Sequence, residues 1–263
     1  MELQGSTVLL TGATGGIGQA IAAALDERGA RLLLTARRAE QLQQVAATLG
    51  GRPEVMPADL TYDAGALAEQ AGAVDVLVAN AALPASGPID DFTAEEIDRA
   101  LDVNLRAPIQ LTRALLPGMV ARGRGHVVFV SSLSGKVASV GSSLYSATKF
   151  GLRGFASGLR EDLHGSGVGV TVVFPGFISE AGMLADSGAR LPRWVGTRKP
   201  DQVAAGVVRG IEQGRAEIDV APLSLRAGVL AGSLAPSTFA RVQRRLGSAK
   251  LSEQIAKGQR PKR

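Results

Sequence analysis

A glycine-rich turn near the start of the chain constrains the fold more than any other segment does. The uncharged apolar residues 7–10 precede it and are typical of a buried parallel strand, while apolar positions in residues 17–25 predict a covered helix after it. The turn therefore predicts a strand-to-helix connection, and its sequence is Thr11-Gly12-Ala13-Thr14-Gly15-Gly16-Ile17-Gly18.

The spacing of these glycines suits the binding of a phosphate group. Gly12 allows a tight turn, Gly16 lets the backbone approach a pyrophosphate, and Gly18 permits close helix packing. The helix N-terminus adds unpaired N–H donors that attract an anion. Because three residues separate Gly12 from Gly16, the turn differs from the G-x-G-x-x-G fingerprint, and a glycine cluster that serves only as a turn is the alternative.

A tyrosine and a lysine one helical turn apart form a second motif. The phenol of Tyr145 has a reference pKa of about 10, so it exchanges protons near neutral pH only where its phenolate is stabilised. Lowering that pKa to about 7 needs roughly 4 kcal/mol, which the desolvated ammonium of Lys149 and a nearby oxidised nicotinamide can supply. The pair predicts proton transfer coupled to hydride transfer; an ordinary helix with an amphipathic Tyr and a solvated Lys is the alternative.

With these two motifs, the chain resembles the short-chain dehydrogenases/reductases over roughly residues 5–220. The signature of that family is a Thr-Gly-x-x-x-Gly-x-Gly turn followed by Tyr-x-x-x-Lys. Ser132 lies thirteen residues before Tyr145, as in the family, which favours it over the neighbouring Ser131. Further segments match in the same order, namely Asp59 after the third strand, Asn80 within residues 79–82, Asn104 within residues 103–105, and Pro175-Gly176 after the sixth strand.

The resemblance implies both the catalytic residues and the residues that bind a nicotinamide cofactor. The implied catalytic set is Asn104, Ser132, Tyr145 and Lys149. The implied cofactor-binding set comprises Gly12, Thr14, Gly15, Gly16, Ile17, Gly18, Arg37, Asp59, Leu60, Asn80, Ala81, Tyr145, Lys149, Pro175, Gly176 and Ile178.

Each implied catalytic residue suits a defined step. Ser132 is expected to donate a hydrogen bond to a substrate carbonyl oxygen as negative charge develops, and Tyr145 to supply the proton. Lys149 is expected to lower the tyrosine pKa and hold the nicotinamide ribose, and Asn104 to position a water that relays protons to solvent. The alternatives are a turn serine at the end of a strand and an asparagine bonded to nearby backbone inside a helix.

Two segments depart from the family pattern. Residues 79–82 are Ala-Asn-Ala-Ala where the family has Asn-Asn-Ala-Gly, although Asn80 and Ala81 remain. Glu180 stands where the family often has a Thr that contacts the carboxamide of the cofactor. The second difference affects the expected placement of the nicotinamide.

The end of the second strand bears on the choice between NADP and NAD. NAD-dependent sites commonly carry an acidic residue there for the ribose 2′-hydroxyl, whereas an Arg accommodates a 2′-phosphate. This chain has Ala36 followed by Arg37, so no carboxylate is present to repel the phosphate. We therefore predict NADP(H) as the favoured cofactor, with a solvated pair of arginines at positions 37 and 38 as the alternative.

Strand-like and helix-like segments alternate along the chain. Apolar runs at residues 74–78, 127–130 and 168–174 predict buried strands, and helix-length segments rich in Ala, Leu and Arg lie between them. With 263 residues and 45% hydrophobic content, the chain can cover both faces of a parallel sheet. We predict a single α/β domain of the Rossmann type, with a doubly wound parallel sheet in residues 1–220 and a C-terminal helical extension and basic tail in residues 221–263.

Composition argues against a metal site, disulfides and export. The chain has no Cys, and its two histidines, His126 and His164, are far apart in sequence and are expected at the surface. We therefore predict no catalytic metal. The first strand begins within ten residues of the start, and no apolar run reaches the roughly 18 residues of a membrane span, so a cytoplasmic soluble protein is expected.

The excess positive charge lies in the last residues of the chain. There are 29 basic and 24 acidic residues, and from Arg241 onward there are eight basic residues and one acidic residue, Glu253. Because the preceding residues are near neutral, nucleic-acid binding is not expected, and the tail is interpreted as a solvated terminus.

These observations predict an oxidoreductase that transfers a hydride between NADP(H) and a ketone, aldehyde or secondary alcohol. The alternative is a non-catalytic NADP-binding sensor or regulatory protein, which would need neither Ser132 nor Tyr145. The fold alone does not name the substrate. The resemblance also implies a homodimer or homotetramer, with helices around residues 93–116 and 143–164 as contacts.

Two further segments are expected to shape binding. Residues 177–199 form a long connection with several apolar side chains and the single tryptophan, Trp194, and predict a mobile lid over a fairly apolar substrate; a surface helix is the alternative. Residues 221–235 carry apolar side chains with Arg226 as the sole charge, and Phe239, Val242 and Leu246 follow on one face of a basic helix. This pattern predicts weak contact with a membrane surface, but we prefer a terminal helix docked on its own subunit or its dimer mate.

Overall fold

A parallel sheet of seven strands organises the computed structural model, which describes residues 1–188, 191, 195–245 and 248–260. The order of the strands across the sheet is β3-β2-β1-β4-β5-β6-β7. Because the chain leaves β1 in one direction and returns to its other side at β4, a crevice opens between these strands at their carboxyl ends. The doubly wound parallel sheet predicted from sequence is confirmed, and its strands are β1 (Thr7–Thr11), β2 (Arg31–Thr35), β3 (Glu54–Val55), β4 (Val76–Ala79), β5 (Gly125–Val130), β6 (Val168–Pro175) and β7 (Glu217–Val220).

Helices connect the strands and continue beyond the last one. Short 3-10 turns lie at Ile89–Asp91 and Leu133–Gly135, and a π-helical turn lies at Asp102–Arg106. The α-helices are α1 (Gly16–Asp26), α2 (Ala39–Ala47), α3 (Ala64–Ala71), α4 (Ala94–Leu101), α5 (Ala107–Ala121), α6 (Ser143–Asp162), α7 (Gly182–Ser187), α8 (Pro200–Gln213), α9 (Leu223–Leu234), α10 (Pro236–Arg245) and α11 (Ser248–Gln259). Within the described residues, no helix is both long and apolar enough to cross a membrane.

Both faces of the sheet are buried, which explains the uncharged strand sequences. Side chains alternate along a strand, so Val8 and Leu10 enter the core beneath α1, α2 and α8, while Leu9 enters the core beneath α3, α5 and α6. A strand covered on both sides has no solvent face for a polar residue. The layers also bring the carboxyl ends of β1, β4 and β5 to one edge of the crevice.

His126 is buried, contrary to the sequence-based prediction of a surface position. It lies within β5, all of whose residues are buried, and it is 2% exposed. Its neighbour across the parallel pairing is Gly169, where a Cβ would overlap the imidazole ring, so the missing side chain makes room for it. The ring Nε2 lies 2.8 Å from Thr171 Oγ1. His164 is exposed, as predicted.

The helices after β7 lie partly against the rest of the chain. Helix α9 exposes the stripe of Leu223, Leu230 and Leu234 and packs its glycine face against Phe239 of α10. Helix α11 packs on α7, and Arg260, directly after α11, bonds through Nη2 to Asp91 Oδ2 at 2.7 Å. Two residues of the predicted basic helix are not fully described, because the side chain of Val242 and the whole of Leu246 lie outside the described parts of the chain. The predicted lid residue Trp194 also lies outside them.

Candidate active site

The glycine-rich turn has a backbone that accounts for its glycines. Gly12 has a φ of +68°, and a Cβ on it would lie 2.7 Å from Ala81 Cα. A Cβ on Gly18 would overlap the carbonyl oxygen of Gly12. Gly12 is therefore needed for conformation and space, and Gly18 is needed so that α1 can lie close against the turn.

The N-terminus of α1 is open to an anionic ligand. Its N-cap is Gly15, which has no side chain to accept hydrogen bonds from the first helical N–H groups. Thr14 and Ile17 flank this end and are partly exposed. Gly16 has a second role that the sequence did not indicate, because a Cβ there would lie 2.6 Å from Ala181 Cβ in the segment before α7. The turn thus suits a pyrophosphate and also lets that segment approach it.

Hydrogen bonds join the turn to the end of β4. Thr11 Oγ1 accepts from the backbone N–H groups of Asn80 and Ala81, both at 3.0 Å. Asn80 Nδ2 donates in return to the carbonyl oxygens of Thr11 and Gly12, at 3.0 and 3.2 Å. These bonds use neither Ala79 nor Ala82, the positions that depart from the family pattern. Sequence analysis missed the structural role of Thr11, although its place at the start of the motif was a usable signal.

Arg37 and Asp59 lie near each other beyond the ends of β2 and β3. Arg37 is exposed, and its charge contributes to the state of the Asp59 carboxyl. Burial alone would raise the pKa of Asp59, but hydrogen bonds from Thr61 and the charges of Arg37 and Arg99 hold it below its usual value. Leu60 beside it is buried. The turn, the helix end and this basic residue fit a dinucleotide along the crevice.

Asn104 lies in the π-helical turn and is fully buried. Its Oδ1 accepts from the backbone N–H of Leu83 at 2.6 Å, and its Nδ2 donates to the Leu83 carbonyl oxygen at 2.9 Å. The side chain therefore clamps the segment that follows β4. Such π-helical turns interrupt the regular helix and often occur at functional sites.

Ser132 and Tyr145 form the polar centre of the site. Ser132 follows β5, and its Oγ accepts from the backbone N–H of Ser134 at 3.1 Å, which leaves its O–H proton available to donate. Tyr145, on the first turn of α6, is 7% exposed, and Ser132 is near enough to lower the pKa of its phenol. The Ser132 side chain therefore influences the ionisation of Tyr145.

Lys149 lies one turn after Tyr145 and is buried beneath it. Its Nζ is 5.6 Å from the centroid of the Tyr145 ring and donates to the carbonyl oxygen of Val130 at 3.1 Å. Ser131 Oγ donates to the Lys149 carbonyl oxygen at 3.2 Å. Ser131 thus supports α6 from below, a structural role that sequence analysis did not assign.

Burial shifts the pKa values of both Tyr145 and Lys149. Burial raises the pKa of Tyr145 to about 12, and the hydrogen bond with Ser132 opposes this only partly. Burial also lowers the pKa of Lys149 to about 8. The lowering of the tyrosine pKa expected from Lys149 together with an oxidised nicotinamide stays a prediction. Lys149 Nζ donates to the Val130 carbonyl oxygen. The protein holds Tyr145 in its protonated form.

The segment after β6 starts near the site and turns away at Glu180. The Gly176 N–H donates to the Val220 carbonyl oxygen at 3.0 Å, and Ile178 is buried and bridges to Arg198. Glu180 has a φ of +69°, is exposed, and lies 3.5 Å from Lys199 Nζ. Its carboxylate is thus paired with Lys199 on the surface.

Among the residues that the structure describes, no three His, Cys, Asp or Glu side chains are grouped so that they could hold a metal ion.

Comparisons with known proteins agree with this geometry. A family model described as short chain dehydrogenase matches residues 6–191. The ketoacyl reductase HetN of Nostoc sp. is 36% identical over 97% of this chain and 93% of its own length. A short-chain dehydrogenase from Sphingobium yanoikuyae, solved with NADPH, superposes with a TM-score of 0.76 at 29% identity over 87% of this chain and 93% of its own. A metagenomic short-chain oxidoreductase solved with NADP gives 0.70 at 34% identity over 84% and 97%.

The motifs, the sheet order and the matched family agree over most of the chain. The relatives and the site support hydride transfer to a carbonyl group or from an alcohol, and nothing supports a non-catalytic cofactor-binding protein. The chain is therefore a member of the short-chain dehydrogenase/reductase family, an oxidoreductase that uses a nicotinamide cofactor and acts on CH–OH groups or the corresponding carbonyls.

Proposed function

We propose that the enzyme reduces the carbonyl group of a fairly apolar substrate with NADPH, and that Asn104, Ser132, Tyr145 and Lys149 serve the reaction. The observation that carries this proposal is the buried Tyr145 ring with Lys149 Nζ 5.6 Å from its centroid, together with Ser132, which influences the tyrosine pKa from just beyond the carboxyl end of β5. Ser132 and Tyr145 both carry a hydroxyl that can bind a substrate oxygen.

The protonation states favour reduction. When bound, the nicotinamide supplies the hydride. Ser132 donates to the substrate oxygen, and Tyr145, whose pKa is raised to about 12, retains the proton that the developing alkoxide needs. Lys149, with a pKa of about 8, is mainly charged at neutral pH and stabilises the phenolate once that proton has left. Asn104 keeps its proposed place in the proton relay, with its side chain bonded to Leu83.

NADP(H) is the proposed cofactor in preference to NAD(H). Arg37 supplies a positive charge after β2, where no acidic residue is present to bind a 2′-hydroxyl. Two structural relatives were solved with NADPH or NADP. The proposed binding residues are those named from the resemblance, and Thr11 supports them through Asn80 and Ala81.

The proposed substrate class rests on the lid and on one relative. HetN is named a ketoacyl reductase, which fits a substrate with an apolar chain next to its carbonyl group. Residues 177–199 contain α7, and the approach of Ala181 to Gly16 places the start of this segment over the glycine-rich turn. We propose that residues 177–199 act as a lid, and that residues 1–220 form the catalytic unit with 221–263 as its extension.

A carbonyl panel tests the proposed reaction. Consumption of NADPH would be followed with 3-ketoacyl esters of increasing chain length, simple ketones and aldehydes, each repeated with NADH. We expect turnover to rise with apolar chain length and to be greater with NADPH. Equal turnover with NADH, or no preference among carbonyl compounds, would contradict the cofactor or the substrate class respectively.

Assembly and location remain proposals of the same kind. We propose a homodimer or homotetramer with contacts through the region of α4 to α6. Sedimentation of the purified enzyme would measure its oligomeric state. We also propose a cytoplasmic location. Weak membrane contact through residues 221–263 stays a prediction. The exposed leucines of α9 support it, and cosedimentation with anionic vesicles, compared with a chain truncated after Ala235, would test it.

A further inference from the structure

Four charged side chains meet at the β7 edge of the sheet, on the face that carries α6. Lys136 Nζ lies 2.6 Å from Asp219 Oδ1 and 3.0 Å from Glu217 Oε2. Arg153 binds the same glutamate with two nitrogens, Nε at 2.7 Å from Oε1 and Nη2 at 3.3 Å from Oε2. We call Lys136, Arg153, Glu217 and Asp219 the edge cluster.

The two cations of the edge cluster come from the two segments that carry the proposed catalytic residues. Lys136 follows Ser132 by four residues, and we call residues 131–136 the serine loop. Arg153 follows Lys149 by one turn of α6. Glu217 belongs to neither segment, because it lies on β7, yet it binds a cation from each. The carboxylate of Glu217 therefore links the serine loop and α6 to a third element.

The edge cluster is more enclosed than an ordinary surface ion pair. The side chains of Lys136 and Asp219 are 12% and 19% exposed, and the Lys136 ammonium lies 4.1 Å from the centroid of the Phe174 ring. Burial alone would raise the pKa of Glu217, but hydrogen bonds from Arg153 and Lys136 and their charges hold it below its usual value. Removing one partner from such a cluster leaves a poorly solvated charge behind.

Arg226 extends the edge cluster into the C-terminal extension. Its Nε lies 4.0 Å from Asp219 Oδ2. At this distance from a half-exposed side chain, its contribution is small compared with those of Lys136 and Arg153. Glu217 is therefore the group through which the serine loop and α6 are mainly joined.

The serine loop also meets α6 at the catalytic end. Ser131 Oγ donates to the Lys149 carbonyl oxygen, and a Cβ on Gly135 would lie 2.7 Å from that same oxygen. The link through Glu217 attaches the loop to the helix a second time, at Lys136 and Arg153.

We propose that Glu217 is a positioning residue, which binds Lys136 and Arg153 together and thereby fixes the placement of Ser132 relative to Tyr145. This inference rests on the proposed roles of Ser132 and Tyr145. Glu217 acts through its two partners, Lys136 and Arg153. It lies on β7, at the opposite edge of the sheet from β2 and β3. Its loss is expected to slow the chemical step and to leave NADPH binding unchanged.

Two substitutions that remove charges of opposite sign distinguish a positioning role of Glu217 from a direct electrostatic effect on Tyr145. Glu217→Gln removes a negative charge, which by itself would make Tyr145 easier to ionise, while Lys136→Met removes a positive charge and would make it harder. Loss of the Ser132 hydrogen bond raises the tyrosine pKa in both variants, because that bond favours the phenolate. A positioning role therefore predicts that the tyrosine pKa rises in both variants.

The experiment measures the pH dependence of alcohol oxidation with NADP⁺, the kcat of ketone reduction, and the NADPH Kd. We expect both variants to shift the acidic limb to higher pH and to lose on the order of tenfold or more in kcat, with the Kd within about twofold. Shifts of opposite sign would assign the effect to charge alone and overturn the proposal, as would unchanged pH profiles and rates.

Glu54→Gln is the matched control, because it removes a carboxylate that binds Arg31 at the other edge of the sheet. It is expected to retain the parental rate and pH profile. Thermal unfolding shows whether each variant is folded. If Glu217→Gln does not fold, the loss of kcat in Lys136→Met at an unchanged NADPH Kd decides, because charge alone and positioning shift its pH profile in the same direction. Full activity in a Tyr145→Phe variant would instead refute the proposed function, independently of the edge cluster.

Discussion

Burial of Tyr145 determines the protonation state in which the protein holds it. A phenol that is 7% exposed has its pKa raised, so Tyr145 carries its proton near neutral pH. The spacing of Tyr145, Lys149 and Ser132 predicted that the three residues meet. It did not predict the direction of the pKa shift, because burial depends on the helices that cover the site and on the bond from Lys149 to Val130.

Replacing Tyr145 with Phe is expected to lower turnover by at least about a hundredfold, since a positioned proton donor contributes 10² to 10⁴ in rate. The NADPH Kd should stay nearly constant because the ring still packs. Steady-state kinetics and a binding titration measure the two effects. Tyr62→Phe, at a position 84% exposed, is the matched control and should retain full turnover. Turnover of Tyr145→Phe within tenfold of the parent enzyme would refute the catalytic role.

Replacing Arg37 with Asp is expected to weaken NADPH binding about tenfold or more relative to NADH binding, a difference of about 1.4 kcal/mol. The new carboxylate would face the 2′-phosphate and repel it. Fluorescence titration with each cofactor gives the ratio of the two Kd values. Arg209→Asp, on the exposed side of α8, changes the net charge equally and should keep that ratio. Equal losses for both cofactors in the Arg37 variant would show that this residue does not distinguish them.

Because of His126, the enzyme is expected to lose stability in acid. Burial lowers its pKa from 6.5 to about 4, with smaller contributions from the N-terminal amino group and Arg160. As the pH falls, the unfolded chain takes up a proton on His126 before the folded chain does. The contribution of neutral His126 to the stability of the fold is therefore present above pH 6.5 and is lost as the pH falls toward 4, by about 3 kcal/mol.

Urea unfolding at a series of pH values checks this, with His126→Gln as the comparison that removes the titrating group. The difference in unfolding free energy between the parent and His126→Gln should change across that window. His164→Gln, which replaces an exposed histidine, should follow the parent. A constant difference between the parent and His126→Gln would exclude a role for this imidazole.

At the scale of elements, α1 shows how a missing side chain fixes packing. Gly18→Ala should cost about 1–3 kcal/mol, because its Cβ would overlap the carbonyl oxygen of Gly12 and push α1 from the turn. Gly65→Ala, inside α3 where nothing lies within 4 Å, should be neutral or stabilising. Chemical denaturation compares them, and equal effects would mean that α1 tolerates a shift.

The same elements show which features the sequence could predict. The turn, β1 and α1 are specified locally, by glycines and apolar residues within about twenty positions, and they were predicted from the sequence. The edge cluster joins Lys136, Arg153 and Glu217 across up to 81 positions, and the clamp between Asn104 and Leu83 also links separate segments. The burial of His126 depends on its register with Gly169. Such pairings follow from tertiary packing, so no local pattern indicated them.

At the scale of the whole molecule, the sheet separates the tasks of the enzyme. The glycine-rich turn follows β1 in the centre, and the serine loop follows β5 two strands away, while the edge cluster lies at β7. The turn that suits a pyrophosphate and the loop that carries Ser132 thus follow different strands. Changes at one edge can therefore alter one task without the other.

The position of β7 has a consequence for heating. An outermost strand is hydrogen-bonded on one side, and such elements open at lower free energy than central strands. If β7 separates from the sheet and carries Glu217 with it, the serine loop loses the ion pair of Lys136 with Glu217, while β1, β4 and β5 remain paired. We therefore expect a temperature range in which the enzyme binds NADPH and keeps its helices by circular dichroism but no longer turns over, and in which the amide hydrogens of β7 exchange before those of β5.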